Sequence, residues 1–319
     1  MKKWWWKIAL ALLLLSWPLL TMILMPDKTY YDYVASLVLA NVCIAVGLGI
    51  LMGYTGLVSL GQAGFVAMGA YTVGILISKA GFDLLSALLV AAILCALTGF
   101  TLGLTAVRLK STYLVLVTLG FGASIPHLLV YFHDLTGGHN GLQVAGATLL
   151  GLPITSGKQF YYIILGVVSL LVWCAFNLTR SKKGRTFRAV RDSEIAAQSL
   201  GINLMVTRAT AFAVSAVYAG VAGGLLAPLL GYLGAEDYNI MASLNYLIMV
   251  IIGGASSLWG VMLGALFFVV AMELFSNSPA GMTLVFFGGA VIATMMLLPR
   301  GLASLPAVLS KKRGALRGR

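Results

Sequence analysis

The chain has 319 residues, of which 60% are hydrophobic and 9% are charged, and its mean hydropathy is +0.99. The apolar share of a soluble domain is about half, so these values exclude an ordinary soluble protein and indicate an integral membrane protein. The net charge of +12 does not indicate a nucleic-acid partner, because the basic residues lie between the apolar runs, where they orient a protein in the lipid bilayer.

Ten apolar segments are candidates for transmembrane helices. A bilayer core of about 30 Å needs about 20 helical residues, with about 17 as the practical lower limit. We predict spans at about 8–25, 34–52, 59–78, 84–107, 112–132, 160–178, 209–233, 243–256, 258–275 and 282–298. The eighth is short for a span. The first follows MKKWWWK and lacks a small-residue cleavage site, so we predict a retained membrane helix and not a signal peptide.

The distribution of Lys and Arg predicts the orientation of these spans. With ten spans and a cytoplasmic amino terminus, 18 of the 21 Lys and Arg residues lie inside, and only Lys28, Lys79 and Lys158 lie outside. This asymmetry agrees with the positive-inside rule and requires an even number of spans. The prediction is an all-α integral membrane protein with both termini in the cytoplasm. It forms one transmembrane domain over 1–319, with a periplasmic loop at 133–159, a cytoplasmic loop at 179–208 and a basic tail at 311–319.

Glycine and polar residues interrupt two of the predicted spans. GYTGLVSLGQAGFVAMGAY at 53–71 interrupts the third, and GGASS at 253–257 interrupts the eighth. Non-helical backbone at membrane depth is tolerated only where protein or cavity water satisfies it, and paired interruptions in corresponding spans point to a translocation path. We predict that spans 2–5 and 7–10 form an inverted repeat, in which these two spans correspond to each other. We predict that the path is lined by Gly53, Tyr54, Thr55, Gly56, Ser59, Gly61, Gln62, Gly253, Gly254 and Ser256.

The predicted spans lack the chemistry of an enzyme. Glu273 is the only acid within them, and we place it near the membrane surface. His127 is the only histidine within them, and we expect it to pack against other helices. The sequence has no metal-ligand spacing, no Walker A loop and no hydrolase motif. We therefore predict no catalytic residue, no metal site and no cofactor bound by this chain.

The cytoplasmic loop contains two predicted helical segments. The loop sequence at 180–208 is RSKKGRTFRAVRDSEIAAQSLGINLMVTR. In its first part, apolar residues and arginines recur at intervals of three, as on an amphipathic helical turn. A second short helix is predicted at about 193–200, with Asp192 or Ser193 as its N-cap and Gly201 closing it. The small side chains of this second helix favour docking to another protein over lying on the membrane surface.

Four motifs resemble those of one transporter family. RAVRDSEIAAQSLGIN at 188–203 resembles the cytoplasmic coupling segment of LivM-type permease subunits of branched-chain amino-acid ABC importers. The stretch at 53–71, TGGHNGL at 136–142 and IIGGASSLWGVMLGA at 251–265 resemble further motifs of this family, in the family's order. The resemblance implies a multi-pass permease subunit of the bacterial inner membrane that is not itself an enzyme.

The resemblance also implies partners. They are a homologous LivH-type permease, two ATPases of the LivF and LivG types that use ATP and Mg, and a periplasmic amino-acid-binding protein. The implied residues for ATPase coupling are Arg188, Arg191, Asp192, Ser193, Glu194, Ile195, Ala196, Ala197, Leu200 and Gly201. Those for contact with the binding protein are Thr136, Gly137, Gly138 and Asn140.

The sequence alone does not exclude three other functions. Urea and short-chain amide importers have similar permeases, so the cargo is not fixed. An ion-coupled secondary transporter acting alone usually has buried carboxylates or histidines in its spans, and these are scarce here. A purely structural membrane subunit has no need of two interrupted spans.

Overall fold

The computed structural model describes residues 28–105, 111–144, 146–149, 151–154, 156–276, 288–289, 292, 296 and 301–304. The helices are α1 Lys28–Gly49, α2 Gln62–Ala80, α3 Leu84–Thr105, α4 Ser111–Tyr131, α5 His133–Thr136, α6 Gly157–Arg180, α7 Lys182–Asp192, α8 Glu194–Ser199, α9 Leu204–Leu230, α10 Ile240–Gly253 and α11 Leu258–Ser276. α1 continues as a π-helical turn over Ile50–Tyr54.

The long apolar helices match the predicted spans. Six of them, α1 to α4, α6 and α9, are long and apolar enough to cross a membrane, and α10 and α11 are shorter apolar helices. They correspond to predicted spans two to nine, so the prediction of an all-α membrane protein is confirmed. The first predicted span, most of the tenth and the basic tail at 311–319 lie outside the described residues. The total of ten spans and their orientation therefore stay predictions.

The core is built around α9, which packs against α1, α2 and α3. Most α9 side chains between Thr207 and Ala227 are buried. A side chain at position 220 would overlap Cys95 of α3, and one at position 69 of α2 would overlap the backbone of Gly220. Glycine therefore brings three helices into close contact, which is what holds helices together where no hydrophobic effect acts between them.

One end of the bundle, which we call the loop end, carries a small folded cap made of residues 133–144, 146–149, 151–154 and 232–238. Its strands are β1 Leu142–Gln143, β2 Thr148–Leu149, β3 Leu152–Pro153 and β4 Tyr232–Leu233, in the antiparallel pairs β1–β4 and β2–β3. The buried Tyr71 hydroxyl donates to the backbone of β4 at 2.9 Å. The Thr148 hydroxyl donates to the Asp83 carboxylate at 2.6 Å. The long loop predicted here is thus folded onto the helices.

Two ionisable residues lie in unexpected places. α1 begins at Lys28 and not at 34, so Asp32 lies within this helix, where it is 2% exposed. The apolar helices therefore contain a second acid besides Glu273, contrary to the prediction. Glu273 accepts a hydrogen bond from the Tyr30 hydroxyl. His127 is exposed on α4, so the prediction that it packs against other helices is wrong. Hydropathy alone does not show which face of a helix is covered.

Candidate functional site

We call residues 181–203 the connector. They follow the end of α6 that lies opposite the cap, and they fold into α7 and α8. α8 begins after Ser193, whose hydroxyl accepts a hydrogen bond from the Ala196 backbone N–H at 3.3 Å. After α8, Gly201 adopts a left-handed φ of +77°, and the Ile202 N–H donates to the Ala197 carbonyl at 3.0 Å. The short helix predicted here, with a serine cap and a closing glycine, is confirmed.

The connector has a buried side and an exposed apolar tip. Phe187 and Val190 of α7 are each 2% exposed, and Ala197 of α8 is 1% exposed. Ile195 and Leu200 are 80% and 79% exposed. Exposed apolar side chains rimmed by polar residues mark a surface that a partner covers. The predicted coupling set therefore divides into residues that pack the connector and residues that a partner could reach.

Glu194, at the start of α8, forms an ion pair with Arg208 of α9. The Arg208 side chain is 7% exposed, whereas that of Glu194 is 51% exposed. Because one member is buried, loss of the other would leave a poorly solvated charge. The pair thus fixes the connector to the central helix. Arg208 was not predicted as a site residue from the sequence. The feature that could have identified it is the position of an arginine at the edge of a long apolar run.

Arg191, near the end of α7, joins the connector to the first interrupted segment. Its guanidinium donates a charge-assisted hydrogen bond of 2.6 Å to the Gly53 carbonyl, although 138 residues separate the two. Its side chain also lies against Gly56, which has a φ of +74°. The Arg188 guanidinium lies 6.0 Å from the centroid of the Tyr54 ring. Members of the predicted coupling set and of the predicted path set are therefore in direct contact.

The Gly53 carbonyl lies in the π-helical turn that ends α1. The last carbonyls of a helix have no partner within the helix and need one from outside. π-helical turns are frequent at functional sites. Here Arg191 supplies the partner, and the Thr55 hydroxyl donates to the Leu51 carbonyl at 2.5 Å. The connector thus holds the point at which α1 stops being a regular helix.

The second interrupted segment packs directly against the first. α10 ends at Gly253, and Gly254 follows with a φ of +91°. A side chain at position 53 would overlap the carbonyl of Ala255, so only glycine permits this contact. The two interruptions, far apart in sequence, therefore form one junction. Their lining of a path stays a prediction.

Buried polar groups surround the start of α2. Gln62 is 0% exposed, and its Oε1 accepts a hydrogen bond from the Ser215 hydroxyl of α9 at 3.4 Å. The Ala63 N–H donates to the Ser243 hydroxyl of α10 at 3.0 Å. Within the described residues, the Gln62 Nε2 has no hydrogen-bond partner. A buried donor left in this way costs about 1–3 kcal/mol.

The other predicted path residues are packed in different ways. Ser59 is 0% exposed. At Gly61, a Cβ atom would lie 2.5 Å from the carbonyl of Thr118 in α4, so α4 rests closely on this position. Ser256, in contrast, is exposed at the connector end. Most of the set therefore makes close helix contacts, and its buried polar members are Thr55, Ser59 and Gln62.

The residues predicted to meet a binding protein lie in the cap. Thr136 is 4% exposed, and its hydroxyl donates to the Leu129 carbonyl at 2.5 Å. Gly137 and Gly138 form a turn with φ values of +80° and +58°. Asn140 is the exposed member of the set, and its carbonyl accepts from the Tyr232 hydroxyl at 3.1 Å. Thr136 and the two glycines shape the turn that presents Asn140.

Residues 30–297 match the family model described as the permease component of a branched-chain amino acid transport system. The chain belongs to this family. It is similar to the high-affinity branched-chain amino acid transport system permease protein LivM of Escherichia coli (strain K12), with 32% identity over 98% of this chain and 77% of the relative. Its similarity to LivH of Salmonella typhimurium is 27% identity over 83% of this chain and 91% of the relative.

A third similar protein of the same kind carries another cargo in its name. It is the autoinducer 2 import system permease protein LsrC of Enterobacter sp. (strain 638), with 30% identity over 66% of this chain and 60% of the relative. Together with the apolar helices, family membership makes this chain a multi-pass membrane permease of the ABC importer type. A transport permease subunit is not an enzyme.

Proposed function

We propose that the chain is the LivM-type subunit of an ATP-driven importer for branched-chain amino acids in a bacterial inner membrane. It has ten spans with both termini in the cytoplasm, so the connector faces the cytoplasm and the loop end faces the periplasm. The positive-inside asymmetry supports this orientation. The names of the LivM relatives support the cargo. The similarity to LivH supports a second, homologous permease as the neighbour that completes the path.

One geometry carries the proposal: the connector offers an exposed apolar tip to a partner and grips the helices at its base. An ATPase that binds Ile195 and Leu200 displaces α8 when it closes. The displacement reaches α9 through the Glu194–Arg208 pair. It reaches the π-helical turn through Arg191. The partner ATPases bind ATP and Mg, and this chain passes their movement from α8 to the membrane helices.

At the opposite end, a periplasmic amino-acid-binding protein delivers the solute to the cap. Asn140 is exposed there, and a cavity of about 180 Å³ lies beside it, lined by residues that include His139, Tyr232 and Glu236. The folded cap gives this partner a fixed surface to recognise. Solute selectivity then lies mainly in the binding protein.

A double substitution at the connector tip tests the ATPase contact. Ile195→Asp with Leu200→Asp places two charges on the surface that the ATPase buries, so we expect the tagged chain to lose the ATPases on purification and to keep the second permease. Leu135→Asp, at an exposed leucine of the loop end (53% exposed), is the matched control and should keep both. Retention of the ATPases by the connector variant would show that the tip is not their binding surface.

Cysteine labelling tests the orientation. In a Cys174→Ser background, Gln198→Cys in the connector and Leu152→Cys in the cap are both exposed positions. A membrane-impermeant thiol reagent added to whole cells should label position 152 and leave position 198 unlabelled. The reverse pattern would invert the topology.

Uptake by the purified and reconstituted complex tests the cargo. We expect ATP-dependent uptake of leucine and none of urea. The name of the LsrC relative shows that permeases similar to this chain serve other cargoes, so uptake of urea alone would keep the mechanism and change the substrate. Uptake by the isolated chain, abolished by an ionophore, would instead indicate an ion-coupled transporter.

A further inference from the structure

The start of α2 is a polar cluster inside an apolar bundle. Gln62, Ser215 and Ser243 come from three helices and are 0%, 1% and 1% exposed. Ser215 is the twelfth of the 27 residues of α9, so the cluster lies near the middle of that helix. Polar side chains at such depth are costly and usually serve function.

The hydrogen-bond donors at this cluster are only partly satisfied: the Ala63 N–H donates to the Ser243 hydroxyl and the Gly64 N–H to the Gly61 carbonyl. The Gln62 Nε2 has no acceptor among the described residues. The N-cap position of α2 is Gly61, which offers no side chain to the N–H groups of the first turn. The N-terminal end of a helix also carries a partial positive charge. The cluster is therefore suited to an anionic group with several acceptor atoms.

We propose that this cluster binds the carboxylate of the amino acid as it crosses the membrane. A carboxylate accepts hydrogen bonds from a side-chain amide and from N–H groups at a helix start. The hydroxyls of Ser215 and Ser243 are free to rotate and can donate to it as well. The inference rests on the proposed import function and adds the place where this subunit holds its solute.

In this structure the cluster is closed by α4. The Leu60 N–H donates to the Thr118 hydroxyl of α4 at 3.1 Å. At Gly122 of α4, a Cβ atom would lie 3.0 Å from the Cα of Gly61, so the two backbones are in close contact. Gly120, on the other side of α4, has open space around it. A shift of α4 on this glycine contact opens the cluster without unpacking the core around α9.

Gln62→Met tests the proposal, because methionine keeps the length of the side chain and removes the amide. In the complete importer, reconstituted with binding protein and leucine, we expect the maximal uptake rate to fall about tenfold, as for loss of a hydrogen bond to a charged group. The thermal unfolding temperature should change little, since the substitution removes both an unpaired buried donor and the acceptor of the long Ser215 hydrogen bond. A purely structural glutamine would instead change the stability and leave uptake unaltered.

Ser215→Ala is a second variant with a smaller change in the side chain. It tests the carboxylate site if the complex with Gln62→Met does not assemble. We expect about a tenfold lower uptake rate, as for loss of a hydrogen bond to a charged group. Ser36→Ala in α1, at a serine that is also 1% exposed, is the matched control and should leave uptake unchanged. If the unmodified complex moves no leucine, the proposed cargo is wrong. If it moves leucine and both cluster variants do so equally well, the carboxylate site is wrong and the proposed function stands.

Discussion

The two ends of the bundle are joined to the helices by different kinds of contact. At the loop end, the β1–β4 pair joins the two segments of the cap, and the Tyr71 hydroxyl and the Lys79 ammonium of α2 donate to backbone carbonyls of the cap. At the connector end, Arg191 bonds to Gly53 and Arg208 to Glu194. A strand pair has one register, whereas a long, flexible arginine side chain keeps its bond while the backbones it joins move. Under the proposed function, this difference leaves the cap in place while the connector transmits movement.

The largest effect is expected at the junction of the two interrupted segments. Gly53→Val would place a branched side chain on the Ala255 carbonyl, so we expect loss of uptake and a decrease in stability of about 1–3 kcal/mol, as for other overpacked sites. Thermal unfolding and leucine uptake of the assembled importer measure both. Gly166→Ala in α6 is the control, because a Cβ atom there would meet no other part of the described structure within 4 Å beyond its own turn of helix, and it should leave both values unchanged.

The next effect is expected at the pair between connector and central helix. Glu194→Ala leaves the buried Arg208 without this carboxylate, so we expect ATP hydrolysis to continue while uptake falls about tenfold, for a loss of about 1–2 kcal/mol of coupling. The ratio of leucine imported to ATP hydrolysed is the measurement. An unchanged ratio would mean that α8 moves α9 by other contacts.

A smaller effect is expected at the bond between Arg191 and the π-helical turn. The Arg191 side chain is 38% exposed, so its loss should cost little stability, about 1 kcal/mol or less. Arg191→Met should lower uptake several-fold with the complex intact, and Arg191→Lys should restore part of it, since one donor is retained. Equal uptake by the methionine and lysine variants would contradict a role for the hydrogen bond.

The smallest effect on transport is expected in the cap. Thr148→Val removes the hydroxyl that donates to Asp83, which should cost about 0.5–1.5 kcal/mol of stability. Leucine uptake at a temperature well below unfolding should be unchanged, because the cap does not carry the coupling movement. A loss of uptake as large as that of Arg191→Met would remove the distinction between the two ends.

Local pattern was enough to predict the helices and the connector. Apolar length gave the positions of α1 to α4, α6 and α9 to α11, because a membrane helix satisfies its own backbone. Ser193 and Gly201 gave α8, because capping depends on residues next to each other in the chain.

Contacts between distant residues were beyond the reach of local pattern. Nothing in 53–56 shows that Arg191 will bond there, or that Ala255 will pack on Gly53, since both follow from how the helices assemble. The same limit explains the candidate site at α2. Gln62 was predicted as a path residue, but Ser215 and Ser243 were not, because they reach it from helices far along the sequence.

The length of α9 has a mechanical consequence. Its 27 residues make a rod about 40 Å long, roughly 10 Å longer than the apolar thickness of a bilayer. Arg208 lies close to one tip of this rod. If the rod pivots at the end that continues into the cap, a tilt of about 5° swings the end near Arg208 by about 3 Å, so α9 acts as a lever whose movement is largest outside the lipid and fades toward its far tip.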